Sequence, residues 1–210
     1  MEALYVVAYK IRVLAQRADR EVGSSGKLPE KLKGTSSFLM KVFGVLAQKG
    51  PKPVGTLYVI CQLFKIYFKL GTVHLCRSFI RSIEAVRIFD FEEFPKRDKV
   101  TYMYYTGRLE VFNENFPTAN HMLSYAFTHC NPHSEANIRM ILKYLIPVKL
   151  SLGILPQDWL LEKYNLVEYR NVVLAPKSGD LRLLRAALDE HEGRFLRSGV
   201  YLAEENLNHS

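Results

Sequence analysis

Cysteine is scarce in this chain of 210 residues: Cys61, Cys76 and Cys130 make an odd set with no Cys-x-x-Cys pair. That spacing excludes a disulfide framework. The apolar context of each predicts a small buried hydrophobe in a reducing compartment. No apolar run approaches the length of a bilayer span, and even Leu57 to Phe64 is far too short. Met1-Glu2-Ala3 shows no basic stretch leading into an apolar core, so no secretory signal is read there. Lys10, Arg12, Arg17 and Arg20 loosely suggest a transit peptide, against which stand Glu2, Asp19 and Glu21. A soluble intracellular chain is the expectation.

Strand patterning is also missing. Period-two alternation is almost absent, so no sheet of consequence is expected. Catalytic signatures are absent too: there is no Gly-x-Ser-x-Gly elbow, His-Glu-x-x-His helix or Rossmann fingerprint. Gly26-Lys27 lacks the glycine spacing, the following Ser or Thr and the preceding strand of a phosphate loop. Glu92-Glu93 and Glu204-Glu205 sit in charged runs with no apolar surroundings to shift a pKa. The expectation is a protein that is not an enzyme and holds no cofactor or metal.

What the chain does have is apolar residues, 48% of the total, enough to fold. It also carries a formal net charge of +8. Such a charge favours acidic partners, nucleic acid or an acidic protein segment, or else marks a merely solvated basic surface.

The apolar residues recur at helical spacing. Leu4, Val7, Ala8, Ile11, Leu14, Ala15 and Ala18 predict an amphipathic first helix, ending at Gly23-Ser-Ser-Gly26 in a flexible joint over about 22–34. Thr35 or Ser36 is placed to cap a second helix carrying Phe38, Val42, Val45 and Leu46, which Gly50-Pro51-Lys52-Pro53 ends. Thr56 to Leu70 predicts a third, with Leu57, Ile60, Phe64, Tyr67 and Phe68 inward, Lys65 and Lys69 solvated, and Gly71 as C-cap. Thr72 to Phe89 follows, with Leu75, Phe79, Ile80 and Ile83 as its inner stripe. Asp90 to Asp98 reads as a charged loop that Pro95 keeps from being helical.

Val100 to Gly153 then gives a helix, a tight turn, a second helix, a loop with Pro132 and a third helix. Gly107 is placed for close approach of a neighbour, and Ala119, Leu123 and Ala126 share a face. That order of small and large residues is the signature of a tetratricopeptide-type hairpin. One hairpin cannot bury both its faces, so neighbours stacked on either side are implied. Inter-hairpin turns near Gly71, Asn115 and Gly153 fit such a repeat. Pro156 suits the first turn of a short helix bearing Trp159, Leu160 and Tyr164; another covers Leu166 to Leu174 and ends before Pro176. Two more follow Ser178-Gly179-Asp180. The reading is an all-α, right-handed TPR/HEAT-like solenoid of about ten helices over residues 1–203, with a polar tail at 204–210.

Many short blocks, in order, resemble one family. They include Leu63-Phe-Lys-Ile-Tyr-Phe-Lys69, His74-Leu-Cys76, Tyr105-Thr-Gly-Arg108, Leu123-Ser-Tyr-Ala-Phe127, Arg139-Met-Ile-Leu142, Tyr144-Leu-Ile-Pro-Val-Lys149 and Gly179-Asp-Leu181. His191 and Phe195 extend the match, which runs from about Tyr5 to Leu202. The family is the PCI-domain proteins, and the likeness is greatest to the PCI subunit of the transcription-coupled nuclear mRNA export (TREX-two) complex. The resemblance implies a nuclear, non-enzymatic scaffold whose helical array pairs with a larger PCI scaffold subunit and a small acidic protein. Sister PCI assemblies (proteasome lid, signalosome, translation initiation) are the alternative, as is a direct single-strand RNA-binding module. Family members carry a C-terminal winged helix that holds most of the nucleic-acid contact. After Gly199-Val-Tyr-Leu202 this sequence shows no such module, which leaves nucleic-acid binding weakened and the chain looking like a fragment or alternative product.

Three groups of side chains are candidate contact sites. Lys177, Arg182, Arg185, Arg194 and Arg197 can touch nucleic-acid phosphate or an acidic partner, or form a solvated face paired with Asp189, Glu190 and Glu192. Tyr102, Tyr104, Tyr105 and Phe112 can stack bases or pack between helices. His129, Cys130 and His133 glance at a zinc site, but the ligand count favours helix-end residues.

Overall fold

Apolar stripes at helical spacing are buried by packing helix against helix, and within each compact unit neighbouring helices do pack together. The structure, a computed structural model, describes residues 2–26, 28–49, 54–85, 91–166, 169–178, 182 and 186. Among the described residues there are nine α-helices and one 3-10 turn, with no strand. This is the expected all-α, helical-repeat class. The chain divides into two compact units, residues 1–102 and 103–210. Helix α5 (Lys96–Phe112) contributes its first turns to one and the remainder to the other.

In the first unit α1 (Glu2–Ser24), α2 (Lys31–Lys49) and α3 (Val54–Leu70) all touch one another, and α4 (His74–Ala85) packs on α3. Every residue from Gly55 to Phe64 is buried, as expected for a helix apolar on all sides. Tyr67 stacks on Phe79 of α4 at 5.9 Å, and Phe43 of α2 meets Phe79 edge-on at 5.3 Å. Side chains of this size each contribute about 1.5–3 kcal/mol on burial. Gly71 closes α3 at φ +73°, the left-handed cap that its glycine predicted.

Several sequence expectations shift here, each for a packing reason. α1 runs to Ser24 and α2 starts at Lys31, so their connection is shorter than residues 22–34. Thr35 and Ser36 lie inside α2, with hydroxyls turned back to the Lys31 and Lys33 carbonyls. The cap comes from another helix: the buried Asp19 carboxylate accepts from the Lys31 amide at 2.8 Å and from the Leu32 amide at 2.8 Å. Pro95 begins α5 instead of barring a helix, its carbonyl accepting from the Asp98 and Lys99 amides. On α4, Cys76 and Phe79 face inward while Leu75 is exposed; the Ile83 side chain lies outside the description. Lys65 is half-buried, and burial lowers its ammonium pKa. Gly50–Pro53 and residues 86–90 lie outside the described residues.

The second unit is organised by the α6–α7 hairpin, α6 (Phe116–His129) against α7 (Glu135–Ser151). Ala119, Leu123 and Ala126 are fully buried on one face of α6, as their spacing predicted. A Cβ on Gly107 would lie 2.8 Å from Leu123 Cγ, so the glycine of α5 is what lets α6 approach. α7 passes through the buried Pro147 without ending. Beyond it lie α8 (Asp158–Lys163) and α9 (Arg170–Ser178). Pro156 precedes α8, and α9 continues through Pro176, where the sequence suggested a stop.

Candidate interaction surfaces

Polar side chains drawn inside a helical unit must be paired, so the interior clusters separate structural groups from those free to meet a partner. Tyr5 of α1 donates to the Asp98 carboxylate at 3.2 Å, and Arg97 Nε donates to it at 3.3 Å. The Arg97 guanidinium lies 5.3 Å over the Tyr5 ring and 5.4 Å over Tyr58. Tyr58 donates to the Tyr5 carbonyl at 3.0 Å, and the Cys61 thiol lies 3.5 Å from the Asp98 carbonyl. Burial raises the Asp98 carboxyl pKa against the opposing pull of Arg97 and the Tyr5 hydrogen bond. Burial, then the Asp98 charge, pushes the Tyr5 phenol up to about 12. The cluster ties α1, α3 and the start of α5 together. Nothing in the sequence spacing marks it, because its members are far apart in the chain.

A second interior group surrounds Arg108. Its guanidinium sits 4.4 Å over Tyr144, 5.4 Å over Tyr104 and 5.8 Å over Tyr105. Cation–π contacts of this kind are worth about 0.5–2 kcal/mol each. Tyr104 is buried and Tyr105 half-buried, so both serve packing around a cation. Tyr102 stacks on Phe64 at 5.9 Å, and only Phe112 of the four aromatics is exposed. The packing reading holds for Tyr102, Tyr104 and Tyr105. The i,i+4 placement of Tyr104 and Arg108 was the signal that could have found this group.

His129 stacks on Tyr125 at 4.0 Å with Nδ1 2.9 Å from the Tyr125 carbonyl, Cys130 caps α6, and the His133 amide donates to Asn131. These are helix-end roles. Among the described residues no three His, Cys, Asp or Glu side chains are grouped to hold a metal ion. No described helix is long and apolar enough to cross a membrane. Glu92 pairs with Lys99 Nζ at 2.8 Å.

Of the basic candidates, Lys177 lies in α9 with its side chain outside the description, and Arg182 is helical and exposed. Arg185, Arg194 and Arg197 lie outside the described residues, as do the tail at 204–210 and most of the segment for which the sequence suggested two further helices.

Several large apolar side chains are exposed on the described surface. In the first unit Val7 and Leu14, from the helically spaced apolar set of α1, and Phe38 and Val45, from that of α2, are exposed; Leu14 is 62% and Phe38 49% accessible. Each helix already buries a different face in the unit, Ala8 and Ala15 on α1 and Leu32 and Leu39 on α2. Between α1 and α2 lies a shallow, open groove of about 640 Å³, lined by Ile11, Leu14, Ala18 and Phe38 together with Glu30, Lys31 and Thr35. In the second unit Leu152, Ile154, Leu155 and Trp159 are exposed close together in the chain, the Trp159 indole donating to Gln157 and Lys163 lying 5.9 Å over its ring.

Helices packed against one another without any strand among the described residues define an all-α helical-repeat protein. No protein-family model matches the chain. It is 73% identical over 207 residues to Enhanced ethylene response protein 5 of Arabidopsis thaliana, covering 99% of the chain and 50% of that relative. It is 39% identical to PCI domain-containing protein 2 of Xenopus laevis over 97% of the chain and 53% of the relative. To the PCI domain-containing protein 2 homolog of Drosophila melanogaster it is 35% identical, over 97% of the chain and 52% of the relative. The chain belongs to the PCI domain-containing proteins, and it spans about half the length of the curated relatives it matches.

Proposed function

We propose that this chain is the helical part of a non-enzymatic scaffold subunit of the transcription-coupled mRNA export complex in the nucleus. It would bind a larger PCI scaffold subunit and a small acidic protein. The observation that carries the reading is likeness along nearly the whole chain to proteins named for their PCI domain. The exposed apolar positions on α1, α2 and the α7–α8 turn support it, because they suit partner helices better than solvent.

The test is co-expression with the large PCI subunit of the export complex, followed by purification through that subunit. Recovery of both in equal amounts supports the reading. Selective recovery with the scaffold of the proteasome lid, the signalosome or the translation-initiation assembly replaces it with a sister complex.

A further inference from the structure

We propose that Arg12, Lys65 and Arg97 form a binding site for the phosphate of a phosphorylated serine or threonine on a partner protein. The inference goes beyond the scaffold reading and does not depend on which PCI assembly the chain joins. The three cations come from three helices and gather over one stripe of α3. Tyr58, Gln62 and Lys65 stand at i, i+4 and i+7, on one face within about 10 Å of helix. The Arg97 guanidinium lies 5.4 Å over the Tyr58 ring. Arg12 Nε donates to Gln62 Oε1 at 2.7 Å, and Lys65 follows Gln62 by about one turn.

Their charge is not balanced within the fold. Lys65 is half-buried, and among the described residues its ammonium has neither a hydrogen bond nor an ion pair. Burial lowers its pKa, and the charges of Arg12 and Arg97 lower it further. A charge drawn inward in this way is costly until an anion joins it. The carboxylate of the group is Asp98, which is buried and already accepts from Arg97 Nε and the Tyr5 hydroxyl. Three cations against that one carboxylate leave two positive charges over. Arg12 spends Nε on Gln62 and Nη1 on Gln16, so its Nη2, the Arg97 terminal nitrogens and the Lys65 ammonium are the donors that remain. A phosphate monoester brings a charge of about −1.5 to −2 and three acceptor oxygens, whereas a carboxylate brings roughly half that charge and one oxygen fewer. The Tyr5 and Tyr58 rings lie 4.1 Å apart with Arg97 over both, an arrangement closed to a stacking base. Val6 and Tyr9 are exposed on α1 beside Arg12, whose guanidinium is 5.4 Å from the Tyr9 ring, and they give a polypeptide carrying the phosphate an apolar surface to lie on.

The probe is a fluorescein-labelled peptide of alanine and leucine with one central phosphoserine, titrated with the full 210-residue chain and followed by fluorescence anisotropy. It should bind about tenfold tighter than the same peptide with glutamate at that position, and the unphosphorylated peptide should not bind. Lys65→Met and Arg12→Gln should each weaken binding about tenfold or more. Lys65→Met also removes an unbalanced half-buried charge, so without peptide its denaturation midpoint should equal or exceed that of the wild type. A lower midpoint would mean that Lys65 is already satisfied in the free chain and would overturn the proposal. So would failure of the phosphopeptide to bind, equal binding of the glutamate peptide, or indifference to both substitutions. Inorganic phosphate competing as well as the phosphopeptide, or a single-stranded oligonucleotide captured and lost on the same substitutions, would overturn it in favour of that ligand. The peptide is titrated against this chain alone, so failure here leaves recovery with the large PCI subunit untouched, and the two readings fail separately.

Discussion

The Tyr169 hydroxyl donates to the Lys143 carbonyl at 2.9 Å, and Lys143 stands four residues before Pro147 in α7. In an uninterrupted helix that carbonyl would accept from the amide of residue 147, which proline does not have. The segment leading into α9 thus supplies the donor that a buried proline withholds, and α7 stays helical through it.

Tyr169→Phe should therefore destabilise the chain by about 1–2 kcal/mol, the cost of a buried acceptor losing its partner. In a Pro147→Ala background the helix regains its own donor, and the loss from Tyr169→Phe should shrink. Urea denaturation of the four proteins in a double-mutant cycle measures this, and strictly additive effects would contradict the pairing.

Asp19 caps α2 from α1, so Asp19→Ala should cost about 1–2 kcal/mol. The loss should be local at first: hydrogen exchange at the Lys31 and Leu32 amides should quicken, while amides in the middle of α3 keep their protection.

Gly107→Ala sets helix propensity against sterics. Alanine gains about 1 kcal/mol in a helix interior. Its Cβ would lie 2.8 Å and 3.0 Å from Leu123 side-chain carbons and 3.3 Å from the Leu123 backbone nitrogen. Overpacking of that kind costs about 1–3 kcal/mol, so the variant should be net destabilised. Combining it with Leu123→Ala should cost less than the sum of the two, as read from denaturation midpoints.

Asp98 makes stability depend on pH. Its folded carboxyl has a pKa above the ordinary 3.8, chiefly through burial. The folded state therefore holds the proton more tightly than the unfolded chain does. Its contribution to stability is fully present below 3.8 and is lost as pH rises through the raised folded value. Compared with Asp98→Asn, the wild-type chain should lose stability across that interval. Tyr5→Phe removes a hydrogen bond that lowers the Asp98 pKa and should extend the interval upward. Denaturant midpoints measured against pH for the three proteins give the sign, and a wild-type gain over the same interval would contradict it.

The thiols should differ in reactivity. Cys61 and Cys76 are buried, and burial pushes the Cys76 thiol up to about 12 and Cys61 higher still. A thiol reagent should label Cys130 alone in the native chain and all three after unfolding. Fast native labelling of Cys61 or Cys76 would contradict the packing around α3.

Local pattern was enough for some of this. The spacing of Ala119, Leu123 and Ala126 determined the buried face of α6, Gly107 marked the close approach beside it, and Gly71 marked the end of α3. Those features depend on neighbours within a few turns, which a period of 3.6 encodes directly. The PCI resemblance was legible too, because ordered blocks carry more information than composition.

Tertiary structure decided what periodicity cannot. The cap of α2 comes from Asp19, twelve residues before Lys31, so no local rule could assign it in place of Thr35 or Ser36. Leu14 and Phe38 have the hydrophobicity of core residues yet remain exposed, because α1 and α2 bury other faces in the unit. Tyr169, Lys143 and Pro147 are joined only once α7 and α9 are in place. A sequence states which side chains are apolar and at what interval. Which apolar face finds a partner, and which is left to receive one, depends on how the helices fill the space around one another.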